Sequence, residues 1–114
     1  MQDRLGNRVR LQHILDAIAE IESYTENIEL EEFRSNSMMF NASVRQLEIV
    51  GEASNRLSDK LLEENKNIPW AQIVGLRNLA IHEYFGVDKG SIWSIIKTNL
   101  PVFKNQISSI IENY

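Results

Sequence analysis

Apolar residues recur in this chain at helical spacing from one end to the other, and this constrains its fold more than anything else in it. Leu11, Ile14, Leu15, Ile18 and Ile21 follow the i, i+3, i+4, i+7 rule. Phe40, Val44, Leu47, Val50, Leu57 and Leu61 continue it, and Trp93, Ile96, Leu100, Phe103, Ile107, Ile110 and Tyr114 repeat it near the end. Alternating β-branched runs are few, and the 114 residues hold only 5 Gly and 2 Pro. A strand pattern has no place in such a sequence. The expected fold class is all-α, an up-down bundle of four to five helices, in a single domain over residues 1–114.

The punctuation sets the boundaries. A first helix is expected over roughly 7–25. The acidic stretch 26–36 breaks the pattern, with Asn27 and Asn36 as turn or cap residues. A second helix is expected over roughly 37–63, with Gly51, Ala53 and Ser54 interrupting its stripe. A mid-helix glycine costs about 1 kcal/mol against Ala, and the close approach of another backbone at Gly51 would compensate. Pro69 opens a third helix that runs to about Tyr84. Gly86 ends it, and Asp88 caps the next. Pro101 should kink or split the last segment near Leu100.

Composition excludes several function classes. There is no cysteine, hence no disulfide framework and no thiolate metal site. No metal or other cofactor is expected. The early Arg4, Arg8 and Arg10 precede no long apolar run, so neither a signal peptide nor a membrane span is expected, and a cytoplasmic protein is the default. The net charge is −4, but it is unevenly spread. Residues 1–65 hold 7 Lys and Arg against 13 Asp and Glu, whereas residues 66–114 hold 5 against 3. A local anion site in the second half is compatible with that asymmetry.

The chemistry lies in Arg77-Asn78-Leu79-Ala80-Ile81-His82-Glu83-Tyr84, which reads R-x-x-x-x-H-x-Y. Arg offers a planar fork of donors suited to phosphate, and His can take or give a proton near neutral pH. On a helical wheel Arg77 falls within the apolar stripe of Trp70, Ile73, Val74, Ala80, Ile81 and Tyr84. A guanidinium there must reach a cleft, snorkel to solvent or pair with a buried carboxylate such as Glu48 or Glu52. His82 lies about 140° further round an ideal helix, beside Ala71, Gly75 and Asn78. The two side chains therefore diverge on one straight helix. Either the helix distorts before His82, or the pocket is assembled across two chains, which the small residues beside His82 favour. A histidine near a helix C-terminus also interacts favourably with the dipole, and Tyr84 also suits a core aromatic with a wet hydroxyl. His13 reads as structural, Met38-Met39 as core filler, and Glu31-Glu32 and Glu63-Glu64 as solvated faces.

This motif at the end of a third helix resembles the HEPN superfamily, in particular HepT-like toxins of the HepT/MntA type of toxin–antitoxin system. Leu11-Gln12-His13-Ile14-Leu15-Asp16-Ala17-Ile18, Gln46-Leu47-Glu48-Ile49-Val50-Gly51-Glu52-Ala53, Ile68-Pro69-Trp70 and Tyr84-Phe85-Gly86-Val87-Asp88 are similar to that family as well. The resemblance implies a metal-independent endoribonuclease toxin with its motif at a dimer cleft. It implies that His82 acts as general base or acid on the ribose 2′-OH and that Arg77 holds the scissile phosphate, with Asn78 adding a hydrogen bond. Such a reaction leaves a 2′,3′-cyclic phosphate and spares DNA. It further implies that a cognate minimal nucleotidyltransferase, the antitoxin, adds AMP to Tyr84 and so blocks the cleft. The implied assembly is a homodimer or a larger hetero-oligomer. The competing expectation is a non-catalytic helical module that binds nucleotide or partners a nucleotidyltransferase.

Overall fold

Helix α1 (Gln2–Thr25) carries Leu11, Ile14, Ile18 and Ile21, all fully buried, and forms the spine of the bundle. The computed structural model of the protein describes residues 2–79 and 88–114. Met1 and 80–87, which include His82, Tyr84 and the expected helix end at Gly86, lie outside the described residues. Asn27 ends the first helical segment with φ of 60°, a left-handed turn position that Asn tolerates better than most residues.

The acidic stretch that follows is not simply a loop. Helix α2 (Leu30–Ser35) forms there, with Phe33 fully buried. Six residues do not make a stable helix alone; tertiary packing holds this one. The Phe33 ring sits 5.6 Å from Phe40 and 5.1 Å from Trp93, while Glu31 and Glu32 face solvent as expected. Asn36 then caps helix α3 (Ser37–Asn55), its side chain accepting from the Met39 N–H at 3.0 Å. Met38 is 80% exposed and is not core filler, whereas Met39 packs against the core.

The expected second helix is two helices. α3 stops at Asn55, and α4 (Asp59–Glu64) begins after Ser58, whose hydroxyl accepts from the Leu61 N–H. The break is fixed from outside by the buried Asn7 of α1. Its amide oxygen accepts from the Ser58 N–H at 3.0 Å, and its amide nitrogen donates to the Ser58 hydroxyl at 2.9 Å. Leu57 and Leu61 stay buried across the break.

Pro69 precedes helix α5 (Trp70–Val74), which tightens into a 3₁₀ turn (Gly75–Asn78). The last third holds α6 (Lys89–Ser94), a π-helical turn (Ile95–Asn99) and α7 (Leu100–Ile111). The Leu100 N–H reaches back to the Ile95 carbonyl, so the disruption expected near Pro101 takes the form of a wide turn in a continuing helix.

Against α1 pack α3 and α7, and α3 in turn supports α5 and the 3₁₀ turn. Lys97 ties the π turn to the end of α1 through the Thr25 carbonyl at 2.9 Å. The fold is the all-α bundle that the periodicity calls for, HEPN-like as the resemblance implies, in more and shorter pieces than expected. Among the described residues there is no strand, and no helix is long and apolar enough to cross a membrane.

Candidate functional site

Arg77 sits on the 3₁₀ turn, and that turn decides where it points. A 3₁₀ helix advances about 120° per residue, so residues three apart eclipse. Ile73 and Leu79 are buried and Leu76 is half-buried, giving the inward row a spacing of three. Arg77, four residues after Ile73, is carried off that row into solvent. The expectation that it lies within the apolar stripe is therefore corrected: its side chain is 40% exposed.

What makes room for the tight turn is Gly51. A Cβ built on Gly51 would lie 2.5 Å from the Arg77 backbone nitrogen and 3.0 Å from the Ile73 carbonyl oxygen. The close backbone approach expected at this glycine is present, and the backbone that approaches is that of Arg77 itself. The next residue on α3, Glu52, faces the guanidinium. Arg77 Nη1 lies 4.0 Å from Glu52 Oε2, and Arg56 Nε donates to Glu52 Oε1 at 3.2 Å. One carboxylate thus stands between two guanidiniums; Glu52 is the partner expected for Arg77, but at 49% exposure it is not the buried carboxylate expected. Glu48, the other candidate partner, lies 3.9 Å from Arg45.

Asn78 is exposed beside Arg77, as are Ala71 and Gly75. A Cβ on Gly75 would meet nothing within 4 Å among the described residues. The backbone does distort upstream of His82, as one of the two ways around the 140° divergence requires. His82 and Tyr84 themselves lie outside the described residues.

Downstream, the described residues resume at Asp88. Its carboxylate accepts from the Ser91 N–H at 2.9 Å and from the Ser91 hydroxyl at 3.2 Å. The backbone bond from Ser91 and then its hydroxyl hold the Asp88 carboxyl below its ordinary pKa, with a smaller contribution from nearby Arg34. The cap expected at Asp88 is formed.

Sequence reasoning missed part of this surface. His13 is exposed and lines an open groove with Arg10, Arg45, Glu48, Glu52 and Arg56; it is not a structural histidine of the core. The Arg45/Glu48 and Glu52/Arg56 spacings of three and four were the available signal. Among the described residues no group of three or more His, Asp or Glu is placed to hold a metal.

Comparison with known proteins bears on this arrangement. The family model described as "Ribonuclease HepT-like" matches residues 14–110, a span that includes Arg77, His82 and Tyr84. A protein of Methanocaldococcus jannaschii named "Putative RNase MJ1380" is 38% identical over 100 residues, covering 88% of this chain and 92% of its own length. A "Putative RNase TTE0752" of Caldanaerobacter subterraneus is 35% identical over 105 residues, covering 92% of this chain and 94% of its own. The "Probable ribonuclease HepT" of Thermococcus cleftensis is 34% identical over 100 residues, covering 88% and 91%. No solved structure gives a significant match. With a family model spanning most of the bundle and relatives aligned over nearly their whole length, this chain belongs to the HepT-like ribonuclease family.

Proposed function

We propose that this protein is the toxin of a toxin–antitoxin pair, an endoribonuclease that cleaves RNA without a metal through Arg77 and His82. The observation that carries the reading is the placement of Arg77. It is half-exposed on a 3₁₀ turn five residues before His82, facing a carboxylate that a phosphate could displace. Exposed ion pairs of this kind are weak, worth about 0–1 kcal/mol, so the guanidinium is available to substrate.

In the proposed reaction the ribose 2′-oxygen attacks the adjacent phosphorus while His82 accepts the 2′-OH proton. The 5′-oxygen of the next nucleotide leaves and takes a proton. The products are a 2′,3′-cyclic phosphate and a 5′-hydroxyl, and DNA, which has no 2′-OH, is not cut. Arg77 would donate its fork of N–H groups to the non-bridging oxygens as charge builds on them. Asn78 would add a hydrogen bond from the same turn. The pocket would be completed by a second copy of the chain against the face of Ala71 and Gly75. A cognate minimal nucleotidyltransferase would silence the enzyme by adding AMP to Tyr84, two residues after His82, placing bulk and negative charge where RNA must enter.

The test compares the protein expressed alone with the protein co-expressed with a neighbouring minimal nucleotidyltransferase, by intact mass and by RNA cleavage. Cleavage by the first sample, lost in His82→Ala, together with an AMP mass increment on Tyr84 and no cleavage in the second, is the expected result. No cleavage by either sample and no mass change would overturn the reading in favour of a non-catalytic helical module.

A further inference from the structure

Arg77 stands at the edge of a groove that the site does not yet use. It lies between α1 and α3, has a volume of about 380 Å³, and is lined by Arg10 and His13 from α1 and by Arg45, Glu48, Glu52 and the C-cap Arg56 of α3, with Val9 and Ile49 beside them. Glu52 belongs to both places: it lines the groove and faces Arg77. The groove and the candidate site are therefore one continuous face.

Four of the chain's seven arginines occur on this face, against two glutamates, in a protein whose net charge is −4. Both glutamates sit among guanidiniums, Glu48 at 3.9 Å from Arg45 and Glu52 within 4.0 Å of Arg56 and Arg77. The Arg45 and Arg56 side chains are 71% and 61% exposed. Arg10 lies back over Gly6, where a Cβ would meet its Nη1 at 2.6 Å, and its Nε is buried without a hydrogen-bond partner among the described residues. From Arg45 to Arg56 the helix rises about 16 Å, the length of a short run of nucleotides rather than of one phosphate.

We infer that this groove is the track for the single-stranded RNA that flanks the scissile phosphate, with Arg10, Arg45 and Arg56 contacting successive backbone phosphates. The inference deepens the proposed ribonuclease reading and rests on it for the position of the cut. Guanidiniums suit phosphate because they offer several donors in one plane. A cationic groove that follows the backbone is how proteins hold single strands without reading their sequence. Among the described residues no Phe, Tyr or Trp lines the groove and His13 is its single ring, so it lacks the broad stacking platform on which base-specific reading of unpaired RNA commonly depends. Contacts here would give affinity and register, and little base preference.

The test uses the full chain and a 2′-O-methylated RNA dodecamer, which lacks the attacking hydroxyl and is bound without being cut. Anisotropy titrations compare the wild type, the triple variant R10Q/R45Q/R56Q, and a charge-matched control, R34Q/K66Q/K104Q, whose side chains lie outside the groove. The groove variant should bind at least about tenfold more weakly, and its slope of log affinity against log salt should fall by about 2, at roughly 0.7 per lost single-strand phosphate contact. The control should bind as the wild type does. Equal loss in both variants, no loss in the groove variant, or no binding by the wild type would each overturn the track. A groove variant that binds RNA normally but changes oligomeric state in sedimentation would overturn it in favour of an interface between copies. Cleavage of unmodified RNA by the wild type is scored separately. If binding follows the groove and no cleavage occurs, the track stands and the ribonuclease reading falls; if cleavage occurs and the groove variant binds normally, the reverse holds.

Discussion

Gly51 and Arg77 meet backbone to backbone: a Cβ on Gly51 would stand 2.5 Å from the Arg77 nitrogen. The glycine on α3 is what lets the turn bearing Arg77 lie flat against the bundle. Gly51→Ala must push that turn outward, since the obstacles are backbone atoms with no rotamer to change. We expect destabilisation of about 1–3 kcal/mol, as for other overpacked sites, and a fall in RNA cleavage beyond what the unfolded fraction accounts for. Gly75→Ala, where the Cβ finds open space and φ is −60°, should instead raise stability by roughly 0.4–1 kcal/mol. Urea denaturation of the two variants checks the pair; a stable, fully active Gly51→Ala would contradict it.

Arg77 should matter for chemistry and hardly at all for folding. Its side chain is 40% exposed and faces the half-exposed carboxylate of Glu52. Arg77→Ala should leave stability within about 0.5 kcal/mol, like other surface changes. It should lower the cleavage rate by roughly 10²–10³, the usual cost of removing one donor to transition-state charge. Arg77→Lys keeps the charge and loses the planar fork, so it should fall between alanine and the wild type. Single-turnover cleavage alongside a melting curve separates the two effects, and equal rates for all three proteins would remove Arg77 from the site.

Phe33 should be the most sensitive position in the short helix α2. It is fully buried and touches both Phe40 and Trp93, so it joins α2 to α3 and α6. Phe33→Ala should cost about 3–5 kcal/mol in equilibrium unfolding. Within the same helix, Glu31→Ala, which is exposed, should cost no more than about 0.5 kcal/mol. Comparable losses at both positions would mean that α2 is held by its helical content and not by Phe33.

Asp88 links stability to pH. Hydrogen bonds from Ser91 lower its folded pKa, so its contribution is fully present above the ordinary carboxylate range and is lost as pH falls through the lowered folded value. Asp88→Asn retains a capping side chain and removes the titration. The melting temperatures of Asp88→Asn and wild type should therefore converge as the pH is lowered through that range. A wild-type advantage that persists at the lowest pH would show that Asp88 acts through something other than its ionised cap.

The sequence by itself determined the helical class, most of the buried face and the local caps. These depend on spacing and side-chain chemistry within a few residues: Leu47 and Val50 are buried by period, and Asn36 and Asp88 cap the helices that follow them because their short oxygens reach an N–H three residues on. Even the contact at Gly51 was legible, because a glycine in a helical stripe needs a reason. Tertiary structure decided the rest. Asn7, 51 residues away, cuts the second helix at Ser58. Phe33 makes a helix out of an acidic stretch by finding Trp93. The turn at Gly75–Asn78 is 3₁₀ where it meets the backbone of α3 at Gly51, so Arg77 leaves the apolar stripe and faces Glu52. Each of these depends on a partner remote in sequence, and helical periodicity carries no information about which remote residue will arrive.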